Sequence, residues 1–343
     1  MNDPPVCFFI PPYITDHIAR NASRQGRDPA AARDGAKADL ALRQQRKSAA
    51  YASLQALTAP TPGKADVVIY DDQNQWNLNV QLVRGPGDPP VKGANANAAY
   101  DALEATREFY REVLERDSID NAGATIVGNV NFGVQYDNAF WDGAEMVFGN
   151  GDDVIFKDFT HDVDVPGHEL THGVTQYTAG LNYTDQSGAL NEATSDIMGA
   201  CVDQYVNKLD AGTFNWLIGE DVMADDLYGE AIRSLAHPGT AYDNPILGKD
   251  PQPDSMAGYV PNGDPHLNSG IINRVFYLIA TDIGSFPAAK LWYATLQNLW
   301  PAAVFTDAAY VCSEMARVLA RDEVIARQAP QTVRAAFHEV GIV

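Results

Sequence analysis

The sequence predicts an α+β fold of two lobes behind a short leader, the first lobe β-rich and the second helical. Three observations carry this reading. Between residues 65 and 152, apart from a helical stretch at 97–116, apolar and polar residues alternate with a period near two; after Asp164 the apolar spacing is mainly helical; and residues 1–50 differ from both in composition. The expected division is a leader over 1–50, a β-rich lobe over 51–180 and a helical lobe over 181–343.

Taken in order, the leader opens on an apolar stretch, VCFFIPPYI at 6–14, stiffened by Pro11 and Pro12. Residues 15–50, rich in Ala, Arg and Asp, read as one or two short surface helices or a mobile arm, and TAPTPGK at 58–64 reads as a link. ADVVIYDD (65–72) and WNLNVQLVRG (76–85) have strand alternation, with GPGDPP closing the second as a turn. NAAYDALEATREFYREVLER (97–116) has helical spacing, with Tyr100, Leu103, Phe109 and Leu114 on or near one face. More strand follows to Asp152. DVPGHELTHGVTQYTAG (164–180) reads as a helix with Asp164 as N-cap, Pro166 in its first turn and Gly180 at its end. SGALNEATSDIMGACVDQY (187–205) reads as a second helix capped by Ser187.

Composition narrows the function. With 343 residues, 45% hydrophobic and 20% charged, the chain can bury a sizeable core. No apolar run approaches the ~18–20 residues of a membrane helix. The first charge is Asp3 and the apolar run stops at Pro11, so no Sec signal is read; cytoplasmic residence or export by another route is expected. A net charge of −21 argues against nucleic acid and anionic membrane as partners. Eight Lys/Arg against five Asp give the first 50 residues +3, leaving −24 on the rest, so leader and body are expected to attract each other. Cys7, Cys201 and Cys312 form neither a disulfide framework nor a cysteine zinc site.

The chemistry is concentrated in the two helices. His168 and His172, four residues apart, lie about 40° around a helix axis and one turn along. Two imidazoles so placed can bind one ion at about 2.0–2.1 Å each. Glu169 falls beside such an ion, where a base for water belongs. Glu192 follows His172 by 20 residues, enough for a loop and return. Asp196 shares the face of Glu192 and can accept the free N–H of a ligating imidazole. Two imidazoles and a carboxylate leave a tetrahedral zinc one open position for water, whose pKa can fall from ~15.7 to about 7.

HELTH at 168–172, NEATSD at 191–196, NAFWDGAEMVFGNGD at 138–152 and HLNSGIIN at 266–273 resemble the thermolysin-like zinc metallopeptidases over most of residues 65–343. The resemblance implies a bilobal zincin with its active-site cleft between the lobes. It implies one catalytic zinc on His168, His172 and Glu192, with Glu169 as general base and Asp196 and Asn191 behind the ligating histidines. It implies Tyr183 and His266 as catalytic donors to the developing oxyanion, and Arg233 as the group that grips a substrate carbonyl beyond the scissile bond. Asn138, Ala139 and Trp141 match an edge strand that binds the peptide in extended form. Phe156, Phe159, Val165 and Ile232 match the pocket for the residue after the cut. The implied activity is a neutral zinc endopeptidase, monomeric, cleaving peptide or protein substrates on the N-terminal side of Leu, Phe, Ile or Val. The competing readings are a weak or inactive peptide-binding homologue, and an amidase or aminopeptidase.

Two departures stand out. Where the family places an Asp five residues before the oxyanion histidine this chain has Pro261, which leaves Asp264 and Asn262 as candidates to orient His266. Asp164, Asp203 and Glu220 fall at acidic positions of the family's calcium cluster, but Asn215 replaces an expected Asp; one weak calcium site or none is expected.

IPPYI at 10–14 resembles the leader motif of the short-propeptide (protealysin-like) branch, in which the leader lies in the cleft and keeps a zymogen closed. The implied plug is Pro11, Pro12, Tyr13 and Ile14, with Tyr13 and Ile14 filling the apolar pocket, and the stiff diproline losing little entropy on docking. Cys7 is either a zinc ligand supplied by the leader or a small buried hydrophobe. Self-processing is expected between residues 45 and 60, before Tyr51 or Leu54.

Overall fold

The computed structural model describes residues 6–21, 29–45 and 66–343, with side chains of 34–42 in the second span. The expected link at 58–64, the boundary at residue 50 and the processing positions Tyr51 and Leu54 lie outside these residues.

A six-stranded mixed sheet organises the first lobe. Its strands are β1 (Cys7–Phe8), β2 (Val67–Asp71), β3 (Gln81–Arg84), β4 (Ile126–Val130), β5 (Ala139–Trp141) and β6 (Met146–Phe148), in the order β1-β5-β6-β4-β2-β3. β2, β4 and β6 are parallel, and β1, β5 and β3 run antiparallel to their neighbours. The expected strand over 76–85 is shorter than its pattern suggests. Asn79 sits at φ 59°, its side chain on the Glu145 carboxylate at 2.9 and 3.1 Å, and a left-handed residue cannot continue a strand. Helix α1 (Pro12–Asn21) and helix α2 (Pro29–Gln45) belong to the leader, and α3 (Ala94–Leu114) packs Leu103 against the sheet at Gly128, where a Cβ would meet it at 2.9 Å.

The second lobe is built on α4 (Asp164–Gln176), α5 (Asp185–Asn207), α6 (Pro265–Ile283), α7 (Ser285–Leu296), α8 (Phe305–Arg321) and α9 (Ala329–Glu339). Both expected caps move. Val163 is the N-cap of α4, and Asp164, its first residue, turns its carboxylate to the Gly219 N–H at 2.8 Å. Thr184 is the N-cap of α5, and Ser187 donates to the Thr184 carbonyl at 2.8 Å. α4 also ends at Gln176, before Gly180, which forms a turn at φ 58°. What brings α4 and α5 together is glycine. A Cβ on Gly199 would lie 2.8 Å from the Asp164 carbonyl, and one on Gly167 would lie 3.2 Å from the Gly199 Cα, so only bare backbones allow this crossing.

The leader is not a surface appendage. Ile14 and Ile18 of α1 are buried in the main core, which runs on through Ile69, Leu103 and Leu170 to Phe337. On the other side of the sheet Val6 and Phe8 complete a smaller cluster with Phe132, Tyr136, Phe140 and Val147. From α2, Asp39 accepts from the Tyr136 hydroxyl and from Asn138 Nδ2. Of the leader's basic side chains, the structure describes Arg20 and Lys37. Arg20 and Lys37 bond within the leader, to the Asp16 carbonyl and the Asp34 carboxylate, while backbone groups and Asp39 reach the body. Among the described residues no helix is long and apolar enough to cross a membrane.

Asp72 at the end of β2 has a measurable consequence. Its Oδ2 is buried without a partner, and burial, with Glu145 and Asp71 nearby, pushes its carboxyl from 3.8 up to about 7. The fold therefore holds a proton that the unfolded chain releases near pH 4, and stability falls as pH rises from about 4 through 7. Asp72→Asn removes that loss. Its melting temperature is expected to gain on the wild type as pH is raised from 5 to 8, corresponding to about 2–4 kcal/mol. A difference that stays constant across this range would contradict the assignment.

Candidate metal centre

α4 and α5 bring the predicted ligands to one point. His168 Nε2 and His172 Nε2 are 3.0 Å apart, and Glu192 lies 3.4 Å from the first and 3.7 Å from the second. A tetrahedral ion with legs of about 2.0–2.1 Å has ligand edges of ~3.3–3.4 Å, so the spacing fits zinc. The protons agree. His168 Nδ1 donates to Asp196 Oδ1 at 2.9 Å and His172 Nδ1 to Asn191 Oδ1 at 2.8 Å. Both Nε2 lone pairs then face each other, an arrangement a cation between them relieves.

Charge adds to this. Glu169 is fully buried, and neither carboxylate oxygen has a hydrogen-bond partner. Burial, opposed by His168, pushes it up to about 8. Burial drags His172 down to about 3, whereas Asp196 and Glu192 overcome burial at His168 and lift it to about 9. Glu192 stays well below the usual carboxylate range in spite of burial, held by His266, His172 and His168. Glu192 and Asp196 thus remain buried anions beside the two imidazoles.

Behind the ligands Asp196 is saturated: beyond His168 it accepts from Arg233 Nε at 2.9 and 3.0 Å and from Asn273 Nδ2 at 2.8 Å. Asn273 was invisible to sequence reasoning beyond its place in HLNSGIIN. Despite burial, Asp196 is held down at about 2, chiefly by Arg233. Tyr183 donates to Glu192 Oε1 and stands edge-on to His266 at 6.4 Å. Asp264, one of the two candidates, is the group on His266: its Oδ1 lies 2.7 Å from Nδ1, and it caps α6 by accepting from the His266 N–H. Asn262 instead donates its N–H to Asp185, at φ 53°.

The expected pocket and edge strand are occupied by the leader. Pro12 begins α1, the Pro11 carbonyl accepts from the N–H groups of Ile14 and Thr15, and Ile14 packs in the core; Tyr13 packs partly buried beside Tyr242 and Asp250. Phe9 takes the pocket. Its ring is 5.3 Å from His168 and 6.3 Å from Phe159, under the Arg233 guanidinium at 4.7 Å, and close to Ile232 across Gly219. Phe156 packs on Phe159 at 5.6 Å, and Val165 is buried at the start of α4. The Phe9 N–H donates to the Ala139 carbonyl at 2.9 Å, the Ile10 N–H to Asn138 Oδ1 at 2.8 Å, and Cys7 pairs with Trp141. The Phe8 carbonyl accepts from His266 Nε2 at 2.5 Å and the Phe9 carbonyl from Arg233 Nη1 at 2.8 Å. Phe9, the residue at the pocket, precedes the expected fillers Tyr13 and Ile14 by four and five positions, so the adjacent aromatic pair FF is the better signal.

Some 230 Å³ of cavity near the start of α4 is lined by Asp162, Asp164, Asp203, Asn215, Glu220 and Asp221. Asp164 Oδ1 is buried there without a partner, and Asn215 donates to Glu220 at 2.5 Å. Burial and the neighbouring carboxylates push Asp162 up to about 7. Asp162 and Asp221 escaped the sequence reading.

Comparison with known proteins agrees with this geometry. Residues 32–176 match the family described as thermolysin metallopeptidase, catalytic domain, and residues 179–342 that described as thermolysin metallopeptidase, alpha-helical domain. An extracellular metalloprotease of Pectobacterium carotovorum subsp. carotovorum is 41% identical over 303 residues, covering 86% of each chain. Protease PrtS of Photorhabdus sp. (strain Az29) is 39% identical over 84% of this chain and 80% of its own. The structure of the precursor of protealysin, a metalloproteinase from Serratia proteamaculans, superposes with a TM-score of 0.84 at 38% identity, covering 98% of this chain and all of that one.

Proposed function

Because the chain belongs to the thermolysin metallopeptidase family, we propose that it is a zinc-dependent endopeptidase made as a zymogen, its leader closing the cleft. The observation that carries this is the facing pair of Nε2 atoms with Glu192 beside them and a buried, partnerless Glu169 within the same group. Zinc held by His168, His172 and Glu192 would supply a Lewis acid and activate water.

Each protein group then has a task. Glu169 takes a proton from the attacking water and passes it to the leaving amine. His266, held by Asp264, and Tyr183 donate to the carbonyl oxygen as negative charge develops on it. Arg233, fixed by Asp196, holds the next carbonyl; Asn138 and Ala139 hold the peptide in extended form. The pocket of Phe156, Phe159, Val165 and Ile232 selects a bulky apolar residue after the cut. Asp264 supplies the orientation that Pro261 does not, which favours the catalytic reading over that of an inactive homologue. The leader over 1–50 is the inhibitor in this reading, and the two lobes meet at residue 180. The acidic cavity takes at most one calcium, weakly, because Asn215 brings a donor where an anionic oxygen is wanted.

Elemental analysis of the purified chain, with product masses from a long peptide digested after leader removal, tests this reading. One zinc and at most one calcium per chain are expected, with cuts before Leu, Phe, Ile or Val that stop on chelation of zinc. Peptide hydrolysis by protein lacking zinc would overturn it.

A further inference from the structure

The leader's contacts have a direction as well as a place. The carbonyl on His266 is that of Phe8, the carbonyl on Arg233 is that of Phe9, and the ring in the apolar pocket is that of Phe9. In the proposed reaction the carbonyl on His266 is the one attacked, the one on Arg233 lies a residue beyond, and the residue after the cut fills the pocket. Three independent contacts thus single out the same bond, Phe8–Phe9. A slip of one residue would turn every side chain to the opposite face, so the register is tightly specified.

Strand alternation also places Cys7. Phe8 faces Phe140 with ring centroids 5.4 Å apart, in the smaller apolar cluster, so its neighbours turn the other way. Cys7 Sγ, a His172 ring nitrogen and a Glu192 carboxylate oxygen all lie within 4.8 Å of one another. The two partnerless oxygens of buried Glu169 belong to the same centre. A thiolate is a stronger zinc ligand than water, and one tethered to the adjacent residue binds without a translational cost.

We infer that the leader lies across the centre as a substrate with Phe8–Phe9 in the cleaved register, and that the Cys7 thiolate, as fourth ligand of the bound metal, keeps the attacking water away from it. This rests on the zinc peptidase reading above and adds to it the bond presented and the group that protects it. With the thiolate gone, a water oxygen adds to the Phe8 carbonyl carbon, the bond to the Phe9 nitrogen breaks, and that nitrogen takes up the proton. The products are a peptide ending in the Phe8 carboxylate and a chain beginning at the Phe9 amine.

Two measurements on the full chain test this. In Glu169→Ala, which does not process itself, replacement of zinc by cobalt(II) is expected to give a sulfur-to-cobalt charge-transfer band. Adding Cys7→Ser should abolish that band while one cobalt per chain remains bound. With Glu169 intact, Cys7→Ala and Cys7→Ser are expected to lose residues 1–8, read as intact mass and a new N-terminus at Phe9; the wild type keeps that bond. Absence of the band with cobalt bound would overturn the thiolate ligand, and an uncut Phe8–Phe9 bond in both variants would overturn the register. Failure to bind cobalt or zinc at all would instead sink the peptidase reading beneath it.

Discussion

Glu169→Ala is expected to lower peptide hydrolysis by the leader-free protein at least 10³-fold, toward the upper end of what a positioned proton-transfer group contributes. The change removes the proposed base and leaves the proposed metal ligands in place. His168, His172 and Glu192 are untouched, so zinc content should stay at one per chain. The fold should stay as stable as before or gain. In the structure the Glu169 oxygens make no hydrogen bond, and a buried group without partners costs free energy rather than supplying it. Three readouts therefore move separately: hydrolysis collapses, zinc stoichiometry holds, melting temperature does not fall. Retained hydrolysis would remove Glu169 from the chemistry; lost zinc would make it a ligand.

How much of this was legible in the sequence differs by scale. The helix carrying HELTH and the helix carrying Glu192 and Asp196 were readable because ligand spacing on a helix is a local property. Their crossing was not. It depends on Gly167 and Gly199 lying against each other's backbones, a pairing of residues 32 positions apart that no periodicity reports. The caps failed for a similar reason: Asp164 is drawn from its own helix to the Gly219 N–H and the acidic cavity, a tertiary demand that outweighs capping. Asp264 could be narrowed to one of two candidates because it sits two residues from His266, whereas Asn273 and Asp39 reach their partners over 77 and 99 positions. In the leader, PP was conspicuous and FF was not. A diproline marks where a chain is stiff; which side chain fills a pocket is decided by burial, and there the aromatic pair is the larger payload.

Phe9→Ala is expected to unlock the uncut chain. The ring is completely buried, and truncating a buried Phe to Ala costs about 3–5 kcal/mol. That cost falls on the docked leader alone, because an enzyme processed as proposed would lack Phe9. The equilibrium between docked and released leader should shift by ~10² to 5 × 10³-fold, and the activity of the uncut chain on a short labelled peptide should rise by a similar factor until the cleft is fully open. The processed enzyme from the same variant should match the wild type in both kcat and KM, which separates loss of the plug from damage to the centre. Arg233 sharpens the comparison: it meets Phe9 twice, through the ring face at 4.7 Å and through the carbonyl at 2.8 Å. Only the first contact is lost in the variant. Tyr13→Ala, by contrast, removes a partly buried side chain near Tyr242, Asp250 and Arg233, and should unlock the chain less. If Tyr13→Ala released more activity than Phe9→Ala, the diproline end of the leader, and not the aromatic pair, would be the plug.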